Sequence, residues 1–176
     1  TDGLVASGGY DTRVLIWNPD ERVEFDFKKA VNDQANPPAK FRALEGHTGA
    51  VRAVQFSSDG KMLLSGGHDN TLRIWGVAQR QQLKSLRGHA GWVRSAQFSP
   101  DDRFVFTGSH DHQAKLWNIG GYEELRILRA RTLEGHTDAV LSASFSQDGR
   151  QIVTASRDRT ARTWDVATGT QLQLFE

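Results

Sequence analysis

Three histidine–aspartate pairs are the residues here whose types could carry chemistry: His47 with Asp69, His89 with Asp111, and His136 with Asp158, each pair 22 positions apart. An imidazole held by a carboxylate is the general-base half of a hydrolytic triad, with a serine or threonine as nucleophile. A second arrangement, His110-Asp111-His112, places two imidazoles around one carboxylate, a composition that metal ions accept. Neither chemistry survives the spacing. A hydrolase needs one activated nucleophile, one oxyanion site and one pocket, whereas the same pair returning in every structural unit marks a scaffold. Nothing positions the imidazoles of His110 and His112 on one ion, and the chain has no cysteine to join them. No catalytic residue, no metal and no cofactor is expected.

The frame that carries the pairs is a repeat. Gly88 to Trp117 reads as one complete unit, and it returns at Gly46 to Trp75 and at Gly135 to Trp164. Each copy opens on Gly-His, and the tryptophan follows the histidine by 28 residues and the aspartate by 6. Three offsets held three times identify a repeat protein. A fourth, incomplete copy opens the chain, with Asp11 and Trp17 again 6 apart and no Gly-His before them.

Within a unit the hydrophobic period is 2, which predicts strands. Val51 to Phe56 alternates, Asp59-Gly60 supplies a tight turn, Met62 to Ser65 runs apolar, Gly66 to Asn70 turns, and Thr71 to Trp75 alternates again. A fourth strand is expected near Gln82 to Leu86, and Gln171 to Phe175 has the same look at the end of the last unit. Four antiparallel strands in about 42 residues cannot bury both faces alone, and stacking on like neighbours solves that problem. No segment reads as a long amphipathic helix.

The units are expected at 1–45 (incomplete, with an insertion at 18–39), 46–87, 88–134 and 135–176. In the insertion, Val23, Phe25 and Phe27 alternate with Glu24 and Asp26 as in a hairpin, and the Asn-Pro-Pro part reads as a loop. A shorter insertion lies between Trp117 and Gly135. Both emerge after the third strand, on one side of the assembly. Thr1 is not an initiator and the first residues align with the middle of a unit, so a piece of a longer protein is expected.

Charge and composition narrow the function. The chain has 176 residues with 22 basic and 21 acidic side chains, and a net charge of +1 argues against nucleic acid as partner. No apolar run approaches the roughly 20 residues that span a bilayer, so no membrane role is expected. Without cysteine, disulfides and thiolate-bound zinc are excluded. A cytoplasmic setting is the default, with the nucleus left open.

These residues resemble the WD-repeat β-propeller family, whose unit has about 40 to 45 residues, a Gly-His near one end and a Trp-Asp near the other. Only Trp164-Asp165 shows the literal pair; the others read Trp17-Asn18, Trp75-Gly76 and Trp117-Asn118. The likeness covers 1–17 and 40–176. It implies an all-β fold of four-stranded antiparallel blades, about four in this chain, within a ring of roughly six to eight. The remaining blades of the same protein, or a second copy, are then needed to close the ring.

The resemblance also implies a hydrogen-bonded quartet in each unit: His47–Ser65–Asp69–Trp75, His89–Thr107–Asp111–Trp117 and His136–Thr154–Asp158–Trp164, with Ser7, Asp11 and Trp17 in the opening copy. Propellers of this kind mostly bind peptides or proteins across the loop face before the first and third strands. On the family pattern the positions lining that face are Tyr10, His68, His110 and Arg157, with Ala50, Arg52, Trp92, Arg94, Ala139 and Leu141 flanking the strand-opening valines. Tyr, Trp and Arg are the types enriched at interface hot spots, and a basic, aromatic mouth suits an acidic or phosphorylated segment. The expected function is a non-catalytic interaction platform. Alternatives are a regulatory or sensor propeller of a larger enzyme, such as a bacterial kinase, and a nucleic-acid-associated propeller.

Overall fold

Alternate residues of a pleated chain reach opposite sides, so the period-2 segments fold as strands that bury one or both faces between sheets. The computed structural model describes residues 3–19, 42–120 and 129–176, and every helix or strand among them is a β-strand. The first sheet holds β1 (Val5–Gly8), β2 (Val14–Trp17) and β3 (Arg42–Leu44). β4 (Val51–Phe56), β5 (Met62–Gly67), β6 (Leu72–Gly76) and β7 (Gln81–Leu86) form the second. The third contains β8 (Val93–Phe98), β9 (Phe104–Ser109), β10 (Ala114–Asn118) and β11 (Arg129–Leu133). Last come β12 (Val140–Phe145), β13 (Gln151–Ser156), β14 (Ala161–Asp165) and β15 (Gln171–Phe175). Strands pair antiparallel in chain order, as in WD-type propeller blades; the first sheet has three strands among the described residues. The hairpin expected around Val23, Phe25 and Phe27 lies outside the described residues.

The core sits between sheets. Val14, Ile16 and Leu44 of the first meet Val51, Leu63 and Trp75 of the second. Met62, Leu64, Leu72, Ile74 and Leu86 meet Phe98, Val105, Trp117 and Ile119. Phe106, Ala114, Leu116 and Leu133 meet Val140, Ile152, Trp164 and Val166. Each sheet alone exposes an apolar face; stacking removes it from water.

Two contacts fix one sheet on the next. A Cβ built on Gly8, Gly66 or Gly108 would lie 2.5, 2.7 or 2.8 Å from Cγ1 of Val51, Val93 or Val140, the valine opening the next sheet's first strand. Glycine is required there by close approach, not by backbone twist. At the register position of Gly66 and Gly108 the last sheet carries Ala155. At the other end of the strand, the Phe98 N–H donates to Gln55 Oε1 at 2.7 Å and the Phe145 N–H to Gln97 Oε1 at 3.1 Å.

Gly66 and Gly67, expected in a turn, belong to β5, since Gly66 pairs with both Ala53 and Leu72. The turn is confined to His68, Asp69 and Asn70, with Asn70 at φ 63°. Thr71 precedes β6 and donates its hydroxyl to Asp69 at 2.8 Å.

A bulge opens the first strand of each four-stranded sheet, between Val51 and Ala53, Val93 and Ser95, and Val140 and Ser142. The extra residues are Arg52, Arg94 and Leu141. A bulge re-aims a side chain away from the alternating pattern, and here it brings Arg52 to Tyr10 and His68 in the turns.

Candidate functional site

The polar quartets are assembled inside each four-stranded sheet. Trp75 Nε1–H donates to Ser65 Oγ at 2.7 Å, Ser65 Oγ lies 2.7 Å from His47 Nε2, and His47 Nδ1 lies 2.9 Å from Asp69 Oδ2. The distances are 2.9, 2.7 and 2.8 Å for Trp117–Thr107–His89–Asp111. They are again 2.9, 2.7 and 2.8 Å for Trp164–Thr154–His136–Asp158. A carboxylate only accepts, so each Nδ1 carries the proton and each Nε2 accepts from the hydroxyl. Ser65, Thr107 and Thr154 are fully buried, and the indole N–H already occupies their oxygen. Such a hydroxyl meets no substrate. In the opening copy Asp11 accepts from the Arg13 N–H at 3.3 Å, and Ser7 shares a face with Trp17 through the β1–β2 register.

Each aspartate holds several donors. Burial alone would raise the Asp69 carboxyl, but hydrogen bonds from Thr71, the Thr48 N–H and His47 outweigh it and leave it below the ordinary range. Asp111 follows the same logic: burial opposes, bonds from His89 and the Ala90 and Gln113 N–H groups prevail, and its pKa falls to about 2. Asp158 lies well below the usual value, with Thr160 and His136 overcoming burial. His47 is pushed down by burial, which outweighs the pull of Asp69.

Above the quartets the turns converge into one row. Tyr10, in the β1–β2 turn, is 76% exposed and lies under the Arg52 guanidinium, with Cζ 4.4 Å from the ring centroid. Arg52 donates to the Tyr10 hydroxyl and, through Nε, to His68 Nε2 at 3.0 Å. The His68 imidazole stacks on Trp92 at 4.0 Å with planes 8° apart. Trp92 in turn meets His110 at 5.1 Å and 40°. Trp92 remains 43% exposed while held between two imidazoles from different sheets. The row therefore crosses the turns of three successive sheets.

The field along the row is positive. His68 is lowered by burial and then by Arg52 and Arg94. His110 is lowered by burial, Arg94, Arg157 and His68, against the opposite pull of Asp138. His112 points elsewhere, 3.9 Å from Asp138, so the His110-Asp111-His112 triplet is split between Trp92, the quartet and a solvent-side acid.

Two of the expected face residues present no side chain. Ala50 and Ala139 are 8% and 1% exposed, and their carbonyls accept from the His68 and Arg157 N–H groups at 2.9 Å each. They brace the turns from below. Leu141 and Arg157 stand exposed. Asp102 is not among the expected face or quartet residues. It sits at φ 56° where the equivalent turns carry Gly60 and Gly149, at 70° and 69°. Its buried carboxylate accepts the Ser58 N–H at 2.9 Å and the Ser58 hydroxyl at 2.5 Å, tying the third sheet to the second. An aspartate at a position normally given to glycine was the available signal.

Among the described residues no helix is long and apolar enough to cross a membrane. The chain is 34% identical over 85 residues to small ribosomal subunit protein RACK1 of Dictyostelium discoideum, covering 43% of this chain and 26% of that protein. It is 39% identical over 71 residues to ribosome biogenesis protein YTM1 of Eremothecium gossypii, covering 40% and 12%. A stretch of 46 residues, 24% of the chain, is 52% identical to protein Mut11 of Chlamydomonas reinhardtii, of which it covers 12%. The chain thus spans about a quarter or less of the length of these relatives. The family model described as WD domain, G-beta repeat, matches residues 39–76, 80–118 and 129–165. With those matches covering more than half of its length, the chain belongs to the WD-repeat family.

Proposed function

We propose that this protein is a non-catalytic interaction platform that captures an acidic or phosphorylated peptide or protein segment on its loop face. The supporting observation is Trp92, a large aromatic left 43% exposed yet locked between His68 and His110. A preorganised aromatic anchor flanked by arginines costs little entropy on docking and gives both contact area and charge. Arg52, Arg94 and Arg157 supply the charge, with Tyr10 at one end of the row. A hydrolytic role has no support: among the described residues the shortest histidine–hydroxyl contacts, 2.7 Å each, are those of the buried quartets, which repeat in each four-stranded sheet.

The proposed architecture is four blades bounded at 1–45, 46–87, 88–134 and 135–176. Other blades of the same protein, or a second copy, would cover the outer face of the last sheet, where Val153 is exposed and its counterparts Leu64 and Phe106 are buried. The proposed setting is the cytoplasm, in keeping with the ribosomal name of one relative.

The test is fluorescence polarisation with a labelled glutamate-rich peptide and its phosphoserine counterpart. Capture by the wild type, weakened tenfold or more by Trp92→Ala or Arg94→Glu, would support the proposal. Equal capture by wild type and both variants would sink it. Single-stranded DNA bound with a steep salt dependence, in preference to both peptides, would replace it with the nucleic-acid reading.

A further inference from the structure

Arg52 is held in two directions at once. Its Nε–H donates to His68 Nε2 at 3.0 Å, another N–H reaches the Tyr10 hydroxyl, and the guanidinium carbon lies 4.4 Å from the Tyr10 ring centroid. A guanidinium has donors and no acceptor. His68 Nε2 is therefore the lone-pair nitrogen, and the proton of the neutral ring sits on Nδ1. Nothing in the repeat requires this bond, because the structural histidine of the unit is His47.

We infer that His68 is a proton-operated catch on Arg52: a proton taken up at His68 Nε2 forms an N–H where the lone pair was, breaks the Arg52 hydrogen bond and frees the guanidinium for an anionic ligand. Capture of an acidic segment then strengthens as pH falls. The inference rests on the docking face proposed above and adds its regulation.

The groups around His68 fit this behaviour. Arg52 comes from β4, Tyr10 from the β1–β2 turn, Trp92 from the loop before β8, Arg94 from the β8 bulge and His110 from the β9–β10 turn. Asp69, its neighbour in the turn, is committed to His47, Thr48 and Thr71. The uncommitted charge facing the imidazole is thus positive, and the empty face keeps the ring neutral; burial and the two arginines hold its pKa below the ordinary value. An acidic segment reverses that field. The stacked indole of Trp92 then favours the imidazolium as a cation–π partner. Binding and protonation assist each other, and by linkage His68 takes up a proton as the ligand docks.

The experiment uses a glutamate-rich peptide, whose carboxylates stay ionised down to about pH 5.5. Affinity is measured from about pH 8 to 5.5, across the ordinary histidine range. Calorimetry in buffers of different ionisation enthalpy counts the protons. Imidazole ¹⁵N NMR, assigned with His68→Gln, reads the tautomer without any ligand. Expected are the Nδ1–H tautomer of His68 at the alkaline end, affinity rising several-fold toward the acid end with net proton uptake, and a flatter profile in His68→Gln. An Nε2–H tautomer, or a slope unchanged in His68→Gln, overturns the inference and leaves docking standing. Absence of capture at every pH removes the docking face, and this regulation with it.

Discussion

His68 and Trp92 stack in parallel, ring centroids 4.0 Å apart, although one follows the second strand of its sheet and the other precedes the first strand of the next. A contact of this kind is worth about 0.5–1.5 kcal/mol. Trp92 carries little of the core, so Trp92→Ala should lower unfolding free energy by no more than about 1.5 kcal/mol while capture of an acidic peptide falls by tenfold or more. Urea unfolding and polarisation on the same preparation check both halves. A loss of several kcal/mol would make Trp92 a packing residue and remove it from the face.

Asp111→Ala should show the opposite pattern. Asp111 accepts from His89 Nδ1 at 2.8 Å and from the Ala90 and Gln113 N–H groups at 2.9 and 3.0 Å. Its removal strands donors that burial denies to water, at a cost of about 1–3 kcal/mol. Peptide affinity, measured where the variant remains folded, should change less than in Trp92→Ala.

Asp102 separates two effects that usually travel together. Its backbone sits at φ 56°, which favours glycine, while its carboxylate binds Ser58. Asp102→Gly loses the carboxylate and gains the relaxed backbone. Asp102→Ala loses the carboxylate and keeps the strain. The alanine variant should therefore be the less stable of the two by about 1 kcal/mol. Equal urea midpoints would show that the backbone conformation yields on substitution.

Acid should unfold the protein in two stages. Asp69, Asp111 and Asp158 sit below the ordinary carboxylate range in the fold, Asp111 at about 2, so the unfolded chain binds protons first. Their contribution is full above about pH 4 and is lost as pH falls toward 2. His47, lowered by burial, is more readily protonated in the unfolded chain, so a shallower loss begins below about pH 6.5. Urea midpoints against pH should be flat above that point and fall below it. A midpoint that climbs on acidification would contradict the quartet's protonation states.

Gly108→Ala places a methyl 2.8 Å from Val140 Cγ1 and 2.7 Å from Ser95 Oγ. Overpacking of this kind costs about 1–3 kcal/mol. Ala155→Gly, at the matching register position of the last sheet, should cost under about 1 kcal/mol, the price of glycine in a strand. Thermal melts of the two variants give the comparison.

Strands and quartets were legible because they repeat. The offsets His47–Asp69–Trp75 recur unchanged at His89 and His136, and alternation marks Val51 to Phe56 as a strand without reference to any neighbour. What one unit does to the next was not legible. Gly66 looked like a turn residue because glycine breaks strands in isolation; its reason is Val93, which arrives from another sheet. Ala50 and Ala139 were placed on the face by position, but the carbonyl bonds that hold the turns draw them under it. The His68–Trp92 contact joins residues 24 positions apart across a sheet boundary, and no periodicity within a unit reports that.

Val93, seated against Gly66, and the Phe98 N–H, bonded to Gln55, lie at opposite ends of one inner strand. A plate fastened at two separated points can neither slide nor pivot on its neighbour. The gap between a loop of one sheet and a loop of the next is thereby a dimension of the framework rather than of the loops. It follows that a substitution at Gln55 or Gly66, touching no ligand, would detune the spacing between His68 and Trp92, and recognition would respond to bolts set far below the surface it uses.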